Sequence, residues 1–240
     1  MTDFLVFQLH APLASWGAQA VGQERPSEDH PGRSALLGLL AAALGIRRDN
    51  ESAQQTLRDA CLFGIKQIHA GLALRDFHTA QTPPESKKVN YRHTRRDELR
   101  ERKLGTILSF RSYYQDSLHL IGVTSRHNEY SVTRLQQALQ TPVFPLYLGR
   151  KSCPPALPLN PCIIEAKNLK TALDRYELAD DEQQLVALAK RRRSHIRYFW
   201  EAGIDSGIPH DYRVPRYDQP LSRQRWQFAP RDEFIGQSGE

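Results

Sequence analysis

The run Ala35 to Leu44 (ALLGLLAAAL) constrains the fold of this chain more than any other segment. Alanine and leucine are strong helix formers, and Gly45 stands where a helix commonly ends in a left-handed residue. The apolar side chains do not keep to one stripe but cover nearly the whole circumference, so this helix must be packed on most sides. Ser34 is the expected cap. Such a helix needs a partner layer, and Asp3 to His10 (DFLVFQLH) offers its first strand. Both alternation phases of that strand are apolar, which predicts a central position. Between the two lies Ala11 to Gly32, with Pro12, Pro26, Pro31 and three glycines. Long irregular connections of this kind often carry function.

The patterns that follow predict a helix over Ser52 to Ala60, a strand over Leu62 to His69 and, past Ala70-Gly71, another over Leu72 to Thr79. The two strands read as a hairpin. Ile107 to Tyr114 and Ser117 to Thr124 read as a second antiparallel pair turning at Gln115-Asp116, and Val132 to Leu139 as a short helix led by Ser131. The order is β-α-β-β-α-β, that of an α+β ferredoxin-like fold, which also underlies RNA-recognition (RRM-like) modules although it fixes no function. Gln140 to Pro161 holds six of the fifteen prolines and is expected to be a rigid extended loop. Asn168 to Tyr176 and Asp181 to Arg191 read as helices and His195 to Trp200 as a strand, while Tyr212 to Phe228 sets aromatics between arginines. Residues 1–161 are therefore expected to form the main domain, and 162–240 a less regular extension packed on it.

Hydrophobic residues at 40% and charged residues at 25% are ordinary for a folded protein. Met1-Thr2-Asp3 leads straight into a strand without a signal-peptide layout, and no apolar run reaches the roughly 20 residues of a spanning helix, so a cytoplasmic protein without membrane contact is expected. Three cysteines, Cys61, Cys153 and Cys162, without CxxC spacing point to inert thiols rather than a disulfide framework or zinc site. No carboxylate cluster suits Mg²⁺, and neither a P-loop nor GxGxxG occurs, so no metal and no cofactor is expected.

The net charge of +6 is unevenly spread. Lys87, Lys88, Arg92, Arg95, Arg96, Arg100, Arg102 and Lys103 face only Asp97, Glu98 and Glu101 in the same span, a local excess of five. Clustered cations of this kind suit phosphate contact, although the same run also reads as a solvated face in which Glu98 and Arg102 form an i,i+4 pair. Tyr147-Leu148-Gly149-Arg150-Lys151-Ser152-Cys153-Pro154 combines an aromatic for stacking, a glycine for close backbone approach, two cations and a hydroxyl. Single-stranded RNA is bound by that mixture, and a proline-bracketed surface loop is the plain alternative. At Gly32-Arg33-Ser34 a helix start and Arg33 could hold a phosphate, or simply cap the helix. For catalysis, His78 in Arg75-Asp76-Phe77-His78 is the candidate base of a metal-independent endoribonuclease.

Several blocks together resemble the CasD-type subunits of type I-E Cascade complexes, in the repeat-associated (RAMP) superfamily of CRISPR proteins. They are Ala11-Pro12 with Ser15-Trp16-Gly17, Arg25-Pro26, and Pro31-Gly32-Arg33-Ser34 running through Leu36-Leu37-Gly38-Leu39-Leu40 to Leu44-Gly45-Ile46. Leu74 to Thr79, Arg111 with Tyr113 and Asp116, and Pro145 to Pro154 continue them, over about the first two thirds. The resemblance implies a RAMP-type ferredoxin-like domain with a thumb-like β-hairpin, placed at roughly 77–107. It implies binding of the 5′ handle of CRISPR RNA, a CasC-type backbone subunit against the thumb, and a CasA-type large subunit that recognises target DNA nearby. The expected RNA contacts are Arg25, Arg33, Ser34, His78, Arg111, Tyr147, Leu148, Gly149, Arg150, Lys151 and Ser152, and the cations from Lys87 to Lys103 are expected to meet RNA or a neighbouring subunit. A separate subunit processes the RNA in this family, so no catalytic residue carries over. A relative that cleaves its own repeat RNA uses Tyr, Lys and His, and no adjacent Lys-His pair occurs here. Beyond Pro161, Arg191-Arg192-Arg193 and Arg223 to Arg231 match only loosely.

Overall fold

The leucine-rich run forms α1 (Arg33–Leu44) in the computed structural model, which describes residues 1–84, 91–100, 103–178 and 195–237. Leu36, Leu37, Leu39, Leu40, Ala41 and Ala43 are all buried, as an all-round apolar surface requires. Gly45 ends the helix at φ 74°, where its lack of a Cβ makes the left-handed turn inexpensive. The start differs from expectation. The N-cap is Gly32 rather than Ser34, and the first free amide, that of Arg33, donates to Asp218 Oδ2 at 2.7 Å.

Four strands lead up to the helix: β1 (Thr2–Ala14), the two-residue strands β2 (Trp16–Gly17) and β3 (Glu24–Arg25), and β4 (Ser27–Glu28). After it come α2 (Glu51–Ala60), β5 (Cys61–His69), β6 (Leu72–Thr82), α3 (Arg95–Glu98), β7 (Gly105–Ser125), α4 (Val132–Gln140), β8 (Cys162–Ala166) and α5 (Leu169–Arg175). The described chain closes with β9 (Arg197–Glu201), β10 (Tyr212–Ser222) and β11 (Gln227–Gln237). The architecture is mixed α/β and dominated by one sheet of order β10-β11-β9-β5-β7-β1-β8, with β3 and β6 also paired to β7.

Strand β1 lies between β7 and β8, antiparallel to both. Leu5, Phe7 and Leu9 join the apolar layer that holds α1 and α4, while Phe4 and Val6 face the layer that holds α5. The two apolar phases of DFLVFQLH thus serve two layers, and burying a side chain such as Leu5 or Phe7 contributes roughly 1.5–3 kcal/mol. No helix among the described residues is long and apolar enough to cross a membrane.

Two sequence expectations are corrected here. Leu62 to His69 and Leu72 to Thr79 do not form a hairpin; both run along β7, β5 against Leu118–Ser125 and β6 against Gly105–Gln115. Ile107 to Thr124 is likewise not a pair of strands but lies within one strand of 21 residues, Gly105–Ser125. Gln115-Asp116 resembles a turn because Asp tolerates left-handed backbone, and Asp116 does stand at φ 56°, yet it only bends β7 as it leaves the core. The residues after 161 also supply regular strands: β8, β9, β10 and β11 all belong to the main sheet. The expected helix over Asp181 to Arg191 and the run Arg191 to Arg193 lie outside the described residues.

Candidate nucleic-acid interface

Beyond the bend, β6 and β7 form a two-stranded arm joined by a segment that contains α3. Its register pairs Leu74 with Tyr113, Asp76 with Arg111 and His78 with Ser109. Residues opposed in an antiparallel ladder share a face and alternate along it, so Asp76, His78, Arg111 and Tyr113 lie on one side. Parallel pairing of β3 with β7 puts Arg25 beside Arg111 on that side.

The Tyr147–Pro154 loop closes this face. Leu148 is fully buried, and its backbone N–H donates to the Cys153 carbonyl at 2.7 Å while its own carbonyl accepts from the Ser15 N–H at 3.1 Å. Gly149, at φ 85°, passes so near Ser15 that an added Cβ would stand 1.7 Å from the Ser15 carbonyl oxygen. These contacts project Arg150 back over the arm. Its guanidinium lies 4.5 Å from the centre of the Tyr113 ring and donates to the Arg25 carbonyl at 3.2 Å. The Arg150 Nη1 is shielded and has no hydrogen-bond partner among the described residues. No ion pair or hydrogen bond joins Arg111 to any described residue. Arg25 donates only to backbone, to Gly22 at 2.7 Å and Glu24 at 2.8 Å. Arg25, Arg111 and Arg150 therefore share this side with no ion pair to a described residue, Asp76 standing opposite Arg111 in the register but lying against His78, and the exposed Lys151 and Ser152 follow in the loop. Such a surface can accept phosphates, and Tyr147, itself exposed, can accept a base.

The opposite face of the arm is neutralised internally: Arg75 pairs with Glu24 at 2.6 Å and covers the Phe110 ring at 4.3 Å. His78 Nε2 lies 2.6 Å from Asp76 Oδ2. Among the described cations of the basic segment, Arg95 pairs with Glu98 at 2.6 Å and Arg100 with Asp97 at 3.5 Å, whereas Arg96 and Lys103 are exposed. Glu98 thus engages Arg95, and the expected partner Arg102, like Lys87 and Lys88, lies outside the described residues. Arg92 is half-buried.

Three expected contacts, Leu148, Arg33 and Ser34, are withdrawn on geometric grounds. The Leu148 side chain serves as the anchor of its loop and presents nothing to a ligand. Arg33 points inward: it pairs with the buried Glu201 and donates to the carbonyls of Arg58 at 2.6 Å and Cys61 at 3.0 Å. Because Asp218 already accepts from the Arg33 amide, the helix start offers no open anion site, and the Ser34 carbonyl accepts from Arg223.

A second polar assembly has no counterpart in the sequence analysis. His30 lies between Asp29 at 2.7 Å and Glu233 at 2.9 Å, stacked 3.8 Å over Phe199. Arg231 holds Asp218 at 2.6 Å and Glu233 at 2.8 Å, and Arg197 pairs with Asp29. Burial opposes charge on His30, yet its hydrogen bonds to Asp29 and Glu233 hold it above the usual imidazole range. Glu233, against the effect of its own burial, is held down to about 2 chiefly by His30. Burial drives His119 the other way, to about 3, and pushes the Cys61 thiol up to about 12. The network fastens the irregular connection before α1 to the C-terminal strands, and so positions β3. Its partners stand up to 203 residues apart, which leaves no local signal to read.

Comparison with known proteins agrees across the whole length. The family model described as CRISPR-associated protein (Cas5) matches residues 4–233. The "CRISPR system Cascade subunit CasD" of Escherichia coli (strain K12) is 32% identical over 248 residues, covering 100% of this chain and 98% of that protein. A chain of a structure titled "CRISPR RNA-guided surveillance complex" superposes with a TM-score of 0.65 at 21% identity, covering 98% of this chain and 90% of its own. Another, titled "Crystal structure of Cas protein", gives 0.57 at 24% identity, covering 98% and 93%.

Proposed function

This chain belongs to the Cas5 family of CRISPR-associated proteins, and from that membership we propose that it is a non-catalytic, cytoplasmic subunit of a type I-E Cascade that holds the 5′ handle of CRISPR RNA. The observation that carries the reading is the placement of Arg25, Arg111 and Arg150 on one face of the β3–β7–β6 ladder without ion pairs among the described residues, with Arg150 over Tyr113 and the loop fixed by Gly149. Unneutralised guanidiniums bind phosphates strongly, and exposed Tyr147 and Ser152 add stacking and hydrogen bonding. The strand order β5-β7-β1-β8, antiparallel throughout with helices between, supports a ferredoxin-like core of RAMP type.

On the same reading the β6–β7 arm with its joining segment is the thumb. Phe77 and Ile107, both more than half exposed, would pack on the CasC-type backbone subunit, with Arg96 and Lys103 toward RNA or that neighbour. A CasA-type large subunit and target DNA would lie beyond the handle.

The test is repeat-RNA binding with and without Arg111→Ala plus Arg150→Ala. Each charge-assisted contact is worth roughly 1.5–3 kcal/mol, so the double variant should bind at least tenfold more weakly. Two lost phosphates should flatten the salt dependence by about 1.4 in log–log slope. Unchanged affinity and slope would refute the assigned face. The endoribonuclease reading draws on the His78–Asp76 contact; site-specific scission in EDTA that disappears in His78→Ala would overturn the non-catalytic role.

A further inference from the structure

The hairpin of β10 and β11 ends in Arg223-Gln224-Arg225-Trp226, and none of the contacts above uses Trp226. Its indole is 57% exposed at φ 53°, a left-handed conformation that a bulky residue adopts only against strain and that glycine or asparagine would adopt readily. The tip is anchored from below: Arg223 donates to the Ser34 carbonyl, and Arg58 Nη1 donates to the Pro220 carbonyl at 3.2 Å. Arg48, from the turn after α1, lies 4.5 Å from the centre of the indole, and Phe228 stands 6.4 Å from it on β11. Arg225 is exposed, and among the described residues it is bonded only through its backbone amide, which donates to Ser222 Oγ at 3.1 Å. Arg223 lies within electrostatic reach of both Arg48 and Tyr147, so this cluster adjoins the Tyr147 loop.

We infer that Trp226, with Arg48, Arg225 and Phe228, forms a stacking site for one unpaired nucleotide of single-stranded RNA, separate from the Arg25–Arg111–Arg150 face. Bases stack on an exposed indole, and guanidiniums beside the ring both support the π face and receive the flanking phosphate. A left-handed position at a hairpin tip is served better by glycine, so the turn itself gains nothing from the indole, whereas the exposed ring offers a base a face to stack on. The inference rests on the chain being an RNA-binding subunit, and extends the RNA path past Tyr147 to the C-terminal strands.

The experiment exploits the tryptophan content. Of the three tryptophans, Trp16 and Trp200 are 2% and 6% exposed, so emission changes and acrylamide quenching report mainly on Trp226. Titrating full-length protein with a repeat-derived single-stranded RNA should quench this emission and protect it from acrylamide. Trp226→Gly should leave the thermal midpoint unchanged or raised, because glycine suits the turn, while weakening RNA binding by about tenfold, the size of one lost stack. Trp226→Phe, which keeps a ring, should retain most of the affinity. If wild-type binds RNA and Arg111→Ala with Arg150→Ala weakens it, but emission is unmoved and Trp226→Gly binds normally, the stacking site is refuted and the main interface stands. If wild-type binds no RNA, the functional reading itself fails. Loss of a co-purifying subunit from Trp226→Gly at unchanged RNA affinity would refute the nucleotide in favour of a protein contact.

Discussion

The Arg33 side chain, 5% exposed, spends its hydrogen bonds on Glu201 and on two carbonyls that link α2 to β5. Arg33→Ala would strand a buried carboxylate, so a loss of about 3–5 kcal/mol in unfolding free energy is expected from chemical denaturation. Arg111→Ala removes no internal partner and should shift stability by no more than about 0.5 kcal/mol. Residue type alone does not separate these arginines. What separates them are contacts formed only on folding: Glu201 is 168 residues from Arg33, and Arg25 meets Arg111 only through the β3–β7 register. Leu148 was misjudged for the same reason, since YLGRKSCP reads as a surface loop until Ser15 is seen to hold it down. Gly149 reads as allowing close backbone approach to RNA, and the close approach that the structure holds is to Ser15.

At the scale of elements, α2 and α4 were readable because their burial writes a period into the sequence and a side chain caps each start, and α1 and β1 because unbroken apolar runs of helix and strand formers belong in the core. Asn50 Oδ1 accepts from the Ala53 amide, and Ser131 Oγ from that of Arg134. The arm was not. A bend and a turn use the same residues, and Asp116 with Ala70-Gly71 signals either. The long strand β7 resolves the ambiguity by pairing with β5 and β6 in succession, which buries Leu118, Leu120, Ile121 and Val123 in the core and leaves Ile107 outside it. Of the C-terminal strands, β9 was readable as His195 to Trp200, whereas β10 and β11 were obscure, because their half-exposed faces mix aromatics with arginines instead of alternating cleanly.

For the whole molecule, the His30 network sets a pH dependence. His30 is raised above 6.5 in the folded protein, so its contribution to stability is complete below that value and is lost as pH rises through the folded pKa. Glu233 is lowered from 4.5 to about 2, so its contribution is present above 4.5 and lost as pH falls toward 2. The difference in thermal midpoint between wild-type and His30→Gln should therefore be greatest between about pH 4.5 and 6.5 and shrink as pH rises further, through the folded pKa of His30. A pH-independent difference would contradict this. The same network fixes the connection that carries Arg25, so the proposed binding face depends on both the N-terminal connection and the C-terminal strands. The most direct measurement of that face is ultraviolet crosslinking and mass spectrometry of the protein assembled with CRISPR RNA and the other Cascade subunits. Crosslinks from the 5′ handle to peptides containing Arg25, Arg111 and Tyr147–Ser152 are predicted; a handle that crosslinks only to other subunits, or to the opposite face at Arg75 and Phe110, would contradict the account.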